Sequence, residues 1–224
     1  MTSMHLAGTA EILDAAEHLP SGASLIIPQV AWDDYERLLE ELAERPGLRV
    51  SYDCGRLEIM SPLPEHGEYG SLIEDLVTAA CQAFRLKLEK RSNATWKRRS
   101  KSRGVEGDAS YYIQNAERII GRRKIDLESD PPPDIIVEID VTNPSLNKLP
   151  IYAALGVSEI WRYDGRTCRF YSLVGDKYVE TPISRSIPGL TGEMLAEAVE
   201  ISKTRGQDAA RSAFRRLLRR LKTK

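Results

Sequence analysis

A short apolar run that carries two carboxylates constrains this chain more than any other feature. Residues 131–148 read PPPDIIVEIDVTNPSLNK, and the run after the three prolines contains Glu138 and Asp140. Its length and its β-branched residues predict a buried strand over residues 135–141. Because an unpaired carboxylate is costly to bury, these acids require compensation. A divalent cation is the leading candidate for that compensation.

Strand alternation places Glu138 and Asp140 on one face, with Asp134 in phase with them. Asp134 directly follows the prolines and is predicted to be a strand-entry or turn residue. Asp140 could simply pair with an arginine such as Arg162. A buried ion-pair network uses the same residue types as a metal site, so the pattern leaves both interpretations open and favours the metal site.

A second acid and a lysine extend this pattern toward phosphodiester chemistry. Asp108 opens another apolar stretch, EGDASYYI, which is predicted as a strand over 108–114, and Lys148 follows the first run. Hydrolysis of a phosphodiester needs a Lewis acid and an oriented water. Asp108 and Glu138 could supply carboxylate oxygens to Mg²⁺ (or Mn²⁺). Lys148 could orient the water or stabilise the transition state.

The charge of the chain is unevenly distributed, although its formal net value is only −1. Residues 203–224 hold nine Lys or Arg against one acid, and residues 85–103 hold the same numbers. Basic blocks of this kind suit a polyanion, and solvated helix or loop faces are the alternative. We predict contacts with DNA from five residues of the earlier block: Lys97, Arg98, Arg99, Lys101 and Arg103.

Periodicity and turn residues predict an α/β (α+β) fold in which helices flank a mixed β-sheet. A helix over 30–42 precedes a β-hairpin with its turn at 53–55, and a second helix is predicted over 70–87 with His66 just before it. A short helix at 148–155 then follows the acidic strand. Three further short strands form an antiparallel meander, and a last helical segment covers 192–201.

The predicted organisation is an N-terminal segment at 1–29, one main domain at 30–201 and a basic C-terminal helix at 202–224. Phe214, Leu218 and Leu221 give the last helix an apolar stripe, which favours packing over a free arm. Contact of this tail with another protein is the alternative.

Several classes of protein are excluded by what the sequence lacks. The start has no signal-peptide pattern, no apolar stretch reaches about 18 residues, and three widely spaced cysteines fit neither a disulfide framework nor a zinc site. We therefore predict a cytoplasmic protein without a membrane partner. The absence of Walker, GxSxG and GxGxxG motifs argues against nucleotide hydrolysis, serine esterase chemistry and dinucleotide binding.

The order of these motifs resembles a known family. An acid on one strand (Asp108), then PPDIIVEID, then KxxxYAALGV from Lys148 and finally EIWRYDG are together similar to the Uma-two family, whose members are described as restriction endonucleases of the PD-(D/E)XK superfamily. The resemblance covers roughly residues 32–190. It implies a restriction-endonuclease-like core, Mg²⁺ dependence and DNA hydrolysis, with Asp108 and Glu138 as metal ligands. His66, in the sequence EHG, matches a further recurring position.

Asp140 stands where the superfamily pattern has a lysine, so the resemblance implies that Lys148 takes that place from the following helix. Gly107 also precedes the first acid in place of a proline. These departures leave a catalytically inactive, nucleic-acid-binding or regulatory protein as the alternative function. Cleavage of both strands of a duplex would favour a homodimer.

Overall fold

The structure, a computed structural model, describes residues 9–42, 47–92, 94–141 and 148–223. Asn147, which the sequence placed beside Lys148, lies outside the described residues. The strands are β1 (Ser24–Ile27), β2 (Arg49–Asp53), β3 (Arg56–Met60), β4 (Glu89–Lys90), β5 (Thr95–Arg98), β6 (Arg103–Glu106), β7 (Ala109–Tyr112), β8 (Ile135–Ile139), β9 (Glu159–Tyr163), β10 (Cys168–Val174) and β11 (Lys177–Thr181). The helices are α1 (Thr9–Glu17), α2 (Trp32–Leu42), α3 (Pro64–Phe84), α4 (Ala116–Ile119), α5 (Leu149–Leu155), α6 (Gly192–Arg205) and α7 (Gln207–Lys222).

The strands form two sheets, whereas the sequence predicted one. The first sheet has the order β1-β3-β2-β6-β5 and is antiparallel throughout. The second has the order β11-β10-β9-β8-β7-β4 and is mixed, because β8 and β9 pair in parallel while its other pairs are antiparallel. The predicted mixed α+β fold is confirmed. The predicted hairpin is confirmed as β2 and β3 of the first sheet, with its turn at residues 54 and 55. The rest of this sheet was missed because β1, β5 and β6 are only four residues long and polar in part.

The helix α5 forms the crossover between the two parallel strands, as parallel pairing requires. Pro150 lies in its first turn, where the missing N–H is not needed, and Gly156 ends the helix in the left-handed region with φ 82°. The strands β9, β10 and β11 form the predicted antiparallel meander. These local predictions are confirmed.

The start of α3 differs from its prediction. The helix begins at Pro64, so His66 lies in its first turns and not in a preceding loop. Proline is compatible with the first helical position because its missing N–H would have no intrahelical partner there. The stretch EHGEYG hides this turn in the sequence, since it lacks the apolar periodicity of the rest of the helix.

The terminal segments join the main body of the fold. β1 pairs with β3, and α1 packs residues into the same apolar cluster as α2 and the first sheet. At the other end, Ala210, Phe214 and Leu218 of α7 are buried in the cluster that covers one face of the second sheet, together with α3 and α6. The predicted packing of the apolar stripe is therefore confirmed, and the boundary predicted at 201 lies inside α6.

Candidate active site

The two faces of β8 meet different neighbours. Ile135, Val137 and Ile139 belong to the cluster that contains α3, α6 and α7. Ile136 points the other way and packs in the cluster with Tyr152 of α5. Glu138 shares that second face because alternate residues of a strand point the same way. The carboxylate therefore lies between β8 and the helix that follows it in the chain.

Two side chains bind the Glu138 carboxylate, one from the N-cap of α5 and one from the helix itself. Lys148, the N-cap residue, places its Nζ 2.8 Å from Oε2, and the hydroxyl of Tyr152 donates to Oε1. The two partners are four residues apart, which puts both on one face of the helix. Glu138 is only 5% exposed, so this pair and the tyrosine supply the compensation that the sequence demanded.

Burial and the neighbouring charges have opposite effects on each member of this pair. Burial raises the pKa of Glu138, and the Lys148 ammonium opposes that rise without cancelling it. Burial alone would lower the pKa of Lys148, but the surrounding carboxylates, Glu138 first and then Asp108, raise it above its ordinary value. The lysine therefore stays charged, and it supplies a fixed positive charge within the site.

Asp108 lies in the turn between β6 and β7 and binds the backbone of β8 directly. Its amide donates to the carbonyl of Val137 at 3.1 Å, and its Oδ2 accepts from the amide of Ile139 at 2.7 Å. The two bonded residues, Val137 and Ile139, are the chain neighbours of Glu138, so the two acids are held side by side. The antiparallel pairing of β7 with β8 fixes this register.

Two basic side chains approach Asp108 from other elements. The Nε of Arg49, on β2, lies 3.7 Å from Oδ1, and the Nδ1 of His66, on α3, lies 3.7 Å from Oδ2. Burial opposes ionisation of Asp108, but His66, Lys148 and the amide bond from β8 outweigh burial and lower its pKa. The site thus pairs one readily ionised carboxylate with one whose pKa is raised.

These residues fit a divalent ion of the Mg²⁺ type. The described part of the chain has no group of three or more His, Cys, Asp or Glu arranged to hold a metal. Mg²⁺ usually takes only one or two protein carboxylates and keeps several waters, so Asp108 and Glu138 form a sufficient set. The ammonium of Lys148 lies 2.8 Å from one oxygen of Glu138 and interacts electrostatically with both acids.

The remaining predicted acids have other partners. The Oδ2 of Asp140 accepts from the Nε of Arg162 at 2.6 Å, which is the ion-pair alternative that the sequence left open. Asp134 accepts from the amide of Ile113 at 2.7 Å and from both the amide and the side chain of Asn115. Its predicted structural role is therefore confirmed, because it fixes the chain that leaves β7.

Most of the predicted DNA-contacting residues have intramolecular partners. Lys97 lies 2.6 Å from Glu36, Arg99 lies 2.7 Å from Asp33, and Arg103 lies 2.9 Å from Asp53. Arg98 donates to the carbonyl of Leu127 at 2.8 Å, and Lys101 is exposed beside them. These residues lie in β5, in β6 and in the 3₁₀ turn that joins the two strands at the edge of the first sheet. Their contact with DNA stays a prediction.

Three site residues were missed by sequence reasoning. Tyr152 was part of the family motif, and its spacing of four from Lys148 is the signal that could have revealed it. Arg49 gave no signal, because only the fold brings β2 to Asp108. Glu58 of β3 is 4% exposed, and within the described residues its Oε2 has no hydrogen-bond partner. Burial raises its pKa, and the charge of Lys148 opposes the rise.

Comparison with known proteins identifies one matching family. The family model Uma2, described as "Putative restriction endonuclease", matches residues 32–203. A search of curated proteins found no match. Within the described ranges, no helix is long and apolar enough to cross a membrane. The match spans the first sheet after β1, the second sheet and both acids.

Proposed function

The chain belongs to the Uma2 family of restriction-endonuclease-like proteins, and we propose that it is a metal-dependent endonuclease that hydrolyses DNA phosphodiester bonds. The observation that carries this proposal is the junction of Asp108, Glu138 and Lys148 at one point of the second sheet. Two adjacent buried carboxylates and a charged lysine are the groups that metal-assisted hydrolysis of a phosphodiester needs.

Asp108 and Glu138 would hold the metal ion, which when bound would act as a Lewis acid on the phosphate and activate a water. The backbone of β8 fixes the Asp108 carboxylate through the amide of Ile139, so little reorganisation is needed. Tyr152 restrains the orientation of Glu138 in the same way. Both acids are therefore positioned before any substrate arrives.

Lys148 supplies positive charge where negative charge develops during hydrolysis. Its raised pKa keeps the ammonium protonated at neutral pH, so it can stabilise the transition state or orient the attacking water. The side chain begins at the N-cap of α5 and reaches Glu138 from that helix. The family resemblance implies a catalytic lysine from this helix, and the support for it here is that Asp140 is engaged by Arg162.

Isosteric substitutions test the proposal. Asp108→Asn and Glu138→Gln should each lower plasmid cleavage in Mg²⁺ or Mn²⁺ by about 100-fold or more, because removal of an outer-shell partner of a metal ligand alone costs about 10–100-fold. Asp176→Asn is the matched control, since this carboxylate is exposed in the turn between β10 and β11. Cleavage at wild-type rates by both site variants would refute the proposal.

A nucleic-acid-binding protein without catalysis is the second candidate. It is favoured by Asp140, which occupies the position of the superfamily lysine and forms an ion pair. Under it, DNA affinity falls steeply with salt and no metal-dependent turnover occurs. Calorimetric titration of Mg²⁺ into wild type and Glu138→Gln, together with the cleavage assay, separates the two candidates. A homodimer is expected only if both strands of a duplex are cut.

A further inference from the structure

We propose that the exposed face of α7 binds the phosphate backbone of DNA at a surface separate from the candidate active site. This inference rests on the proposed function, because it names a surface that holds the same DNA substrate. The sequence predicted DNA contacts from residues 97–103, and we assign the main contact to α7 instead. The surface consists of five exposed cations, which we call the α7 basic face: Arg215, Arg216, Arg219, Arg220 and Lys222.

The α7 basic face is not neutralised by acids of the described chain. Within the described residues, none of its five side chains forms an ion pair or a side-chain hydrogen bond, whereas Arg211, one turn earlier, pairs with Asp75 of α3. In the earlier basic block, Lys97, Arg99 and Arg103 each pair with a carboxylate. A cation without a partner can bind a phosphate without first giving up an ion pair. The α7 basic face is therefore the better surface for a polyanion.

The five cations match the charge spacing of a nucleic acid. Arg215, Arg219 and Lys222 form one row on the helix surface, and Arg216 and Arg220 form the row beside it. From Arg215 to Lys222 the helix rises about 10 Å, at about 1.5 Å per residue. Duplex DNA carries one negative charge per about 1.7 Å of its axis, which gives about six charges over that length. Five cations therefore nearly neutralise the stretch of backbone that α7 can lie against.

The first of these rows lines a groove between α3 and α7. The two helices run in parallel here, because Asp75 contacts Arg211 and the residues one to three turns later on each helix line the groove. Its volume is about 340 Å³, and the lining residues besides the three cations are Ala79, Gln82, Ala83 and Leu218. Three cations above small apolar side chains suit a phosphate with its sugar, the two groups through which proteins hold DNA without reading its sequence.

The apolar face of α7 is not available to a membrane. Ala210, Phe214 and Leu218 are buried in the cluster that covers the second sheet. Basic helices that bind bilayers place their apolar face among the lipid chains, and α7 has already packed that face on the protein. The part of α7 that remains exposed offers charge without an apolar anchor, which favours a nucleic acid over a lipid surface.

Stabilisation of the helix itself does not account for the whole α7 basic face. Cations near a helix C-terminus interact favourably with the helix dipole, and this effect is confined to the last turn. Arg219, Arg220 and Lys222 lie in that turn. Arg215 and Arg216 precede it, so two of the five cations have no such role.

The α7 basic face lies away from the acids of the candidate active site. Glu138 points toward α5, on the face of β8 opposite the cluster that contains α7. Along α3, His66 lies beside Asp108 and Gln82 lines the groove, and the rise between these two helix positions is about 24 Å. At that distance α7 holds DNA without touching a reacting atom. Its loss should therefore raise KM and leave kcat unchanged.

DNA binding at several salt concentrations in EDTA tests the proposal without turnover. The triple variant Arg215→Gln, Arg219→Gln, Lys222→Gln removes the row that lines the groove, and glutamine keeps the helix because it is nearly as good a helix former. Its affinity for a fluorescein-labelled duplex of about 20 base pairs should fall about tenfold or more at about 50 mM salt. The slope of log K against log salt should become shallower by about 2.7, at about 0.9 for each lost phosphate contact.

A matched variant controls for net charge. Arg123→Gln, Lys124→Gln, Lys177→Gln removes the same charge from exposed positions outside the groove. It should change the affinity and the slope little, because salt screens distant exposed charges. Equal losses in the two triple variants would show that binding follows net charge alone, and the proposal would fail. Wild-type affinity and slope in the α7 variant would also overturn it.

Two further measurements separate the other roles of these cations. If the cations only stabilise the end of α7, the α7 variant has a lower unfolding temperature and keeps the DNA affinity of wild type, against the proposal. If vesicles of phosphatidylcholine and phosphatidylserine bind wild type and not the α7 variant while DNA affinity is unchanged, the partner is a membrane surface and the proposal is wrong.

The outcome for the proposed function is separate. DNA binding that depends on α7, in a protein that cleaves nothing, retains this inference and removes the proposed function. Cleavage with wild-type KM in the α7 variant does the opposite. Absence of duplex binding by wild type at low salt refutes the inference, whatever the cleavage assay shows.

Discussion

Replacing Lys148 with methionine should destabilise the protein by an amount that depends on pH. The ammonium lies 2.8 Å from Glu138, which is 5% exposed, so the variant leaves a buried carboxylate without its ion-pair partner. Breaking a buried pair costs about 3–5 kcal/mol. Because Tyr152 still donates to Glu138, we expect about 3 kcal/mol, which for a chain of this size lowers the unfolding temperature by about 6–12 °C.

The pH dependence follows from the raised pKa of Glu138. Between the ordinary glutamate pKa of about 4.3 and the higher pKa of the folded state, the folded protein binds more protons than the unfolded chain. The free energy of unfolding therefore falls as pH rises through this interval. Loss of Lys148 raises the folded-state pKa of Glu138 further, because the ammonium opposes the rise caused by burial. The stability that Lys148→Met loses relative to wild type should be small near pH 4.5 and largest near pH 8.

Thermal unfolding in EDTA at both pH values measures this effect. The double variant Glu138→Gln, Lys148→Met removes both charges and should recover most of the loss, since neutral replacements of a buried pair are often tolerated. Mg²⁺ should raise the unfolding temperature of Lys148→Met and not that of the double variant, which lacks the carboxylate. Equal unfolding temperatures of wild type and Lys148→Met at pH 8 in EDTA would refute the reasoning.

Three further predictions concern packing and reactivity. Gly107→Ala should lower the free energy of unfolding by about 1–3 kcal/mol in chemical denaturation, because its Cβ would lie 2.6 Å from a methyl group of Ile136. Phe214→Ala should cost about 3–5 kcal/mol in the same assay, and a loss under 1 kcal/mol would show that α7 does not pack on the core. Cys54 is exposed, whereas burial raises the pKa of Cys81 to about 12 and the third thiol is also buried. A thiol reagent should therefore label one cysteine in the native protein and three after unfolding, and rapid labelling of all three in the native state would contradict this.

Much of the second sheet could be predicted from local sequence. Periodicity and turn residues such as Gly156 and Gly165 predict the acidic strand, α5 and the meander. These signals can be recognised because they depend on residues that are neighbours in the chain. The start of α3 was missed because glycines and charged residues interrupt its periodicity there. Of the first sheet only the β2–β3 hairpin was predicted, because the pairings of β1 with β3 and of β2 with β6 join strands that are distant in the chain.

The candidate site divides in the same way. Asp108, Glu138 and Lys148 could be nominated from the sequence, since acids inside apolar runs need a partner whatever the fold. Their roles stay predictions, and the structure adds their contacts. The Tyr152 hydroxyl donates a hydrogen bond to Glu138, and Arg49 approaches Asp108 from the first sheet. No local pattern marks Arg49, because its position depends on how the two sheets are placed.

The sequence by itself determined that the strand with Glu138 is buried and that its carboxylate needs a compensating partner. Burial of apolar residues is favourable, whereas burial of an unpaired charge is costly. It could not determine which groups compensate. Asp108 bonds the backbone of β8 from 31 residues away, and His66 arrives from a helix whose first turn has no local signal. Only the tertiary structure decides such contacts, since they depend on the packing of elements that are remote in the chain.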